Sequence, residues 1–234
     1  MHPAEWPRAG SADRPSSERE VGFPPWTWLS SGTVPTLICA LDGVLFSEAP
    51  QRRVDAWRAA NGGVLGLTAA DDLADDALRA FRSGLLDEAG YAGHLRRRLS
   101  WTGTDEDLVQ LWTTGSAVVL EVIDVLSGLR ERGWLLIAAD DADPWTRRNR
   151  EGQFGWTSSL FDRVVRADKV GAARPDPRFF ADLLRGLPRH GPRLYVDGDA
   201  RNVSAARRAG LDGHLFSGAA GLRSACRSVL LAST

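Results

Sequence analysis

Short apolar runs alternate with stretches of helical period along most of the chain. Residues 36–41, Thr36-Leu37-Ile38-Cys39-Ala40-Leu41, form one such run and end in Asp42-Gly43. Residues 134–139 form a second and end in Asp140-Asp141. Runs this short and continuous predict strands buried on both faces. Residues 161–165, 193–196 and 214–216 predict three more, the middle one ending in Asp197-Gly198-Asp199. Helices are predicted between them. Residues 118–132 put Val122, Leu126 and Leu129 on one face, with Gly133 as the stop. Residues 175–187 start on proline, residues 202–209 stop at Gly210, and residues 219–231 form a final helix. Strands alternating with helices imply an α/β fold, a three-layer Rossmann-like parallel sheet covered on both faces.

Two stretches depart from this alternation. Residues 48–116 show helical period only. Asp71 and Asp72 are placed to cap a segment with Leu73, Ala77, Leu78, Phe81 and Leu85 on one face. Asp87 precedes Tyr91, Leu95 and Leu99 at spacings of four, and Thr104 with Asp107 has the form of a helix start. A block without strands cannot extend a sheet. It reads as a helical cap inserted between core segments 34–47 and 117–234, with Trp57, Trp101 and Trp112 as its core. Residues 1–33 carry Pro3, Pro7, Pro15, Pro24 and Pro25 and sustain no period, which predicts a disordered leader. Trp26 and Trp28 in it read as a hydrophobic anchor.

Composition narrows the function classes. The chain has 234 residues, and its 29 Lys+Arg against 30 Asp+Glu leave a net charge of -1. Nothing in that balance marks a nucleic-acid binder. No run reaches the ~18 apolar residues of a membrane span, and the first residues lack the apolar segment of a signal peptide. Cys39 and Cys226 are too few for a disulfide framework or a four-cysteine zinc site. The expectation is a cytoplasmic protein without nucleic-acid or membrane partners. Lys169 is the single lysine, so arginine fills almost every basic position.

The candidate chemistry lies at the strand ends. In an open parallel sheet, ligands bind beyond the carboxyl ends of the strands. Three of those ends carry acids: Asp42, then Asp140 and Asp141, then Asp197 and Asp199. Carboxylates that converge repel unless a cation or a cationic side chain lies among them. A hard ion such as Mg²⁺ suits such a set. This makes Asp42, Asp197 and Asp199 the candidate metal ligands, and Asp140 and Gly43 candidate ligand-binding positions. Cys39 neighbours Ala40 on the first strand and therefore faces the other way, toward a covering helix. His94, His214 and Arg96-Arg97-Arg98 read as solvated or hydrogen-bonded side chains.

These residues resemble the haloacid dehalogenase-like (HAD) superfamily of phosphohydrolases. Residues 37–46 are similar to its first motif, a strand followed by Asp-x-Asp-Gly-(Thr/Val)-Leu. Residues 133–140 resemble its second motif, a strand ending in Ser or Thr. Val170-Gly171-Ala172-Ala173-Arg174-Pro175-Asp176-Pro177 resembles the third, usually Val-Gly-x-x-Lys-Pro-Asp-Pro. Leu194-Tyr195-Val196-Asp197 with the segment from Asn202 to Gly210 resembles the fourth. The insert stands where the family carries a small cap.

The resemblance also exposes departures. The family's nucleophilic aspartate corresponds to Ala40, and its acid/base aspartate to Asp42. The Ser or Thr of the second motif corresponds to Ala139, or to Ala138 if the strand is shifted by one. The lysine corresponds to Arg174, which keeps the charge but not the geometry. Asp197 matches a metal ligand, and the frequent second acid beside it is Gly198. Several departures at separate positions point to natural loss rather than one engineered change. Three readings follow. The first is a HAD-like protein without its nucleophile that binds a phosphorylated small molecule or a protein partner. The second is an enzyme of altered, non-covalent chemistry (lyase, isomerase or cyclase) using Asp42 and a weakened Mg²⁺ site. The third is a Mg²⁺-dependent phosphatase with a mutated nucleophile.

Overall fold

The computed structural model describes residues 33–47, 50–66, 75–114, 116–188 and 190–231. The expected leader, apart from Thr33, lies outside them, as do Asp71, Asp72 and Leu73. Among the described residues the chain runs β1 (Thr36–Ala40), β2 (Phe46–Ser47), α1 (Pro50–Ala60), α2 (Asp76–Arg82), α3 (Glu88–Leu99), α4 (Asp105–Thr113), β3 (Ala117–Val118) and α5 (Leu120–Glu131). It continues through β4 (Leu135–Asp140), α6 (Pro144–Phe154), a 3-10 turn (Gly155–Leu160), β5 (Arg163–Arg166), α7 (Ala167–Val170) and α8 (Pro177–Arg185). It closes with β6 (Arg193–Asp197), α9 (Ala200–Arg208), β7 (Asp212–Leu215) and α10 (Ala219–Leu231).

Five strands pair in parallel in the order β5-β4-β1-β6-β7. The central three are apolar because helices cover both sides. Leu37, Cys39, Leu136, Ala138, Leu194 and Val196 share one buried cluster with Val122 and Leu126 of α5 and Leu222 and Cys226 of α10. On the other face Tyr195 meets Phe180 of α8, ring centroids 5.5 Å apart. The predicted α/β class and parallel sheet are therefore observed. Cys39 lies in the α5/α10 cluster, and burial pushes its thiol up to about 12. A thiol that weakly acidic is no nucleophile at neutral pH.

The four helices α1–α4 lie between β2 and β3, which pair antiparallel so that the insert's entry and exit are tied together. Its helix starts follow local rules. Asp87 caps α3, and Thr104 with Asp107 forms a capping box on α4. Helix α2 differs from expectation: Asp75 is its cap, accepting from the Leu78 N–H at 2.9 Å, and Leu85 beyond its end is exposed. His94 Nε2 lies 2.7 Å from the Asp75 carboxylate. Trp57, Trp101 and Trp112 are buried in one cluster with Val54, Phe81 and Tyr91, as the insert's pattern implied.

Helix α6 has no counterpart in the pattern-based reading, because its residues are mostly polar. Its start is nevertheless encoded: Asp143 caps it through the Thr146 N–H, with Pro144 in the first turn. Its two large apolar residues divide: Phe154 packs against the sheet core, and Trp145 faces the insert. Trp145 belongs to the same buried cluster as Trp57 and Trp112. The indole of Trp112 donates to Asp143 Oδ2 at 2.9 Å, and that of Trp145 to Glu88 Oε2 at 2.8 Å. Trp112 thus holds insert and core together. Replacing it by Ala should lower stability by about 3–5 kcal/mol, and replacing it by Phe by about 1–3 kcal/mol because Asp143 loses a buried donor. Urea unfolding midpoints of the three proteins check this.

Candidate functional site

The site is assembled by the carboxyl ends of β1, β4 and β6. Ala40 pairs in register with Ala139 of β4, and both are fully buried. Register partners in a parallel sheet present their side chains to the same face, so two methyl groups stand side by side. Beyond Ala40 the chain turns sharply: Gly43 N–H donates to Phe46 O at 2.8 Å, and Phe46 N–H to Leu41 O at 2.8 Å. Gly43 adopts φ +77°, which favours glycine. The loop after β6 comes equally close. A Cβ at Gly198 would lie 2.9 Å from Gly43 O. No side chain fits at position 198 without moving the first loop.

Every acid of the cluster is matched by arginine. Arg174, the cation expected from the third motif, donates through Nη1 to Asp197 Oδ2 at 2.7 Å and through Nη2 to Asp141. The Arg174, Asp141 and Asp197 side chains are only 2%, 7% and 3% exposed. Tyr195 O–H donates to the same Asp197 oxygen at 2.6 Å, Asn202 Nδ2 donates to it at 3.0 Å, and the Asp199 N–H donates to the other oxygen at 2.8 Å. Asp42 pairs with Arg150 of α6 at 2.5 Å, and the Arg150 guanidinium stands 4.3 Å from the Phe46 ring centroid. Asp140 accepts from the Ala142 N–H at 2.9 Å and from Arg147 Nε at 3.3 Å. Asp199 instead caps α9 and pairs with Arg201.

These partners set the protonation states. Burial alone would raise the Asp42 carboxyl, but Arg150, with Arg82 and Arg174, outweighs it and holds the group below the usual carboxylate range. Burial wins at Asp140 and Asp197, which sit above that range although Arg147 and Arg174 pull the other way. Asp199 is lowered, chiefly by its hydrogen bond from Arg201.

The expected metal set is not brought together. Asp42, Asp197 and Asp199 each have their own arginine or helix end, and no three His, Cys, Asp or Glu side chains among the described residues converge as a cation site. The carboxylate oxygens that Asp42, Asp197 and Asp199 would offer a Mg²⁺ are here held by arginine and helix-end contacts. Sequence reasoning missed the partners. Arg147 and Arg150 lie on the unforeseen α6, and Tyr195 read only as strand. Asp141 stood among the strand-end acids but was not assigned a role.

A family model described as haloacid dehalogenase-like hydrolase matches residues 41–210. The chain belongs to the haloacid dehalogenase-like hydrolase family. No curated protein matches it in sequence. Its HAD fold is shared with solved structures. A HAD family enzyme from Bacteroides thetaiotaomicron, in an aspartate-to-alanine mutant complexed with magnesium and inorganic phosphate, superposes with TM-score 0.66 at 16% identity, covering 79% of this chain and 94% of that one. A predicted HAD-like hydrolase from Porphyromonas gingivalis gives 0.64 at 18%, covering 79% and 91%. The L-2-haloacid dehalogenase RSc1362 gives 0.54 at 18%, covering 77% and 85%.

In this HAD-like chain the Arg174 bridge should dominate local stability. Removing one partner of a buried ion pair typically costs about 3–5 kcal/mol, so Arg174→Met should be destabilised by about that much at neutral pH. The loss is pH-dependent. Without Arg174 the Asp197 carboxyl rises further above its unfolded value, so the folded state binds its proton more tightly. Ionising Asp197 then disfavours folding as pH rises from the unfolded value of ~3.9 through the folded one. The deficit of Arg174→Met relative to wild type should therefore shrink from neutral pH toward about pH 4, measured by urea unfolding at both.

Proposed function

We propose that this HAD-family chain has lost aspartyl-phosphate chemistry and works by binding a phosphorylated small molecule without hydrolysing it. The observation that carries the reading is Ala40. Covalent catalysis needs a carboxylate oxygen to attack phosphorus; at the end of β1 stands a buried methyl group beside a second one, Ala139. A second feature supports it. The cation that would face the nucleophile and phosphate is already engaged by two buried carboxylates, Asp141 and Asp197.

Anion binding finds support in the charge around Asp42, where Arg150 and Arg82 both act on one carboxylate. In the Bacteroides relative, an aspartate-to-alanine mutant was crystallised with magnesium and phosphate, so that protein holds both after losing one aspartate side chain. For this chain we propose binding without a resident Mg²⁺, because the three candidate ligands have arginine partners or helix-capping roles. The alternative of general-acid chemistry through Asp42 is disfavoured. A general acid must carry a proton at working pH, and Arg150 keeps Asp42 ionised.

The test is phosphate release from a panel of phosphomonoesters with Mg²⁺, for wild type and Ala40→Asp. Neither should exceed the background rate, since restoring the carboxylate leaves Arg174 committed and Gly198 without room for an acid. Wild-type turnover in the ordinary range of about 1–10³ s⁻¹ would refute the reading. Turnover by Ala40→Asp alone would show that Arg174 can be recruited and that the rest of the machinery is intact.

A further inference from the structure

A cavity of about 410 Å³ lies beside the motif residues, on the α5/α10 side of the sheet, between β4, β5, α6 and the 3-10 turn. It touches neither Ala40, Arg174 nor Asp197, but it shares Arg150 and Asp140 with the site described above. Its volume falls in the ordinary range for small-molecule sites, about 300–1,000 Å³. The walls are largely apolar: Leu41, Phe46, Phe154, Phe161 and Val164 contribute to them. Arg147, Arg150 and Arg166 bring positive charge to the same space, and Asp140 and Glu151 bring negative charge.

Two of these guanidinium groups share one carboxylate. Arg166 donates to Asp168 through Nε at 3.1 Å and Nη2 at 2.9 Å. Arg147 Nη2 stands 3.3 Å from the same Asp168, while its Nε turns to Asp140 and its Nη2 also donates to Ala142 O at 2.8 Å. None of these protein contacts uses the Nη1 group of either arginine. Asp168 is held ionised by the pair, whereas Asp140 is pushed toward its neutral form by burial. Among the described residues, the Nη1 groups of Arg147 and Arg166 make no protein contact beside this apolar wall, while their other nitrogens meet Asp168 and, for Arg147, Asp140. Planar guanidinium donors match a carboxylate in geometry and charge.

We propose that this cavity binds a small organic monocarboxylate, with its aryl or short alkyl body against Phe154, Phe161 and Val164 and its carboxylate on Arg147 and Arg166. The test uses phenylacetate as the probe, followed by amide chemical shifts on the full chain. Phenylacetate should bind saturably and shift amides of β5 and the 3-10 turn. Phenylacetamide, which lacks the charge, and acetate, which lacks the ring, should each bind at least about tenfold more weakly, as loss of a charge-assisted hydrogen bond or of apolar burial implies. Arg166→Gln should weaken phenylacetate about tenfold or more. Val164→Asp, a change at a part-exposed edge-strand position, should do the same by placing a negative charge at the cavity wall. Either variant suffices if the other fails to fold. Absence of saturable binding to wild type, equal binding of phenylacetamide, or affinity unchanged in a folded variant would each overturn the proposal.

Discussion

Carboxylates gathered at the ends of parallel strands must be neutralised, and in this chain arginine side chains do it. Arg174 bridges Asp141 and Asp197, Arg150 meets Asp42, and Arg147 meets Asp140. An uncompensated charge at such depth costs several kcal/mol, so these pairs fix the positions of the loops that carry them. The close approach of Gly43 and Gly198 follows from the same convergence of strand ends. The arrangement is self-contained: each acid that a cation might have bridged already holds a partner.

Helix α6 links this charge network to the insert. One part of it supplies Arg147 and Arg150 to the strand ends; another supplies Trp145 to the aromatic cluster of Trp57, Tyr91 and Trp112. Trp112 and Trp145 also exchange hydrogen bonds across the boundary, with Asp143 and Glu88 as acceptors. Lifting the insert from the core would expose this cluster and strain the arginine pairs together. Arg82 of the insert also acts on Asp42, so the insert contributes to the field that lowers its carboxyl.

The sheet was legible in the sequence because its central strands are buried on both faces and read as unbroken apolar runs. The acids were legible because each ends such a run. Their partners were not. Helix α6 presents a polar sequence stabilised by its Asp143 cap, by Trp145 and by the ion pairs of Arg147, Arg148 and Arg150, none of which creates a period. Asp199 looked like its neighbours, yet its carboxylate closes the first turn of α9, a role that sequence spacing does not separate from a ligand role. Ala40 and Ala139 were legible as departures, and register now shows them side by side. The short strands β2 and β3 escaped notice because two-residue pairings carry no pattern at all.

The account rests on arginine standing where an ion would otherwise be required. Calorimetric titration of the wild-type chain with Mg²⁺, alongside Asp42→Asn, tests it most directly. The account predicts no saturable binding to either protein at millimolar metal. Stoichiometric Mg²⁺ binding to wild type that disappears in Asp42→Asn would contradict it, because Asp42 would then prefer the metal to Arg150.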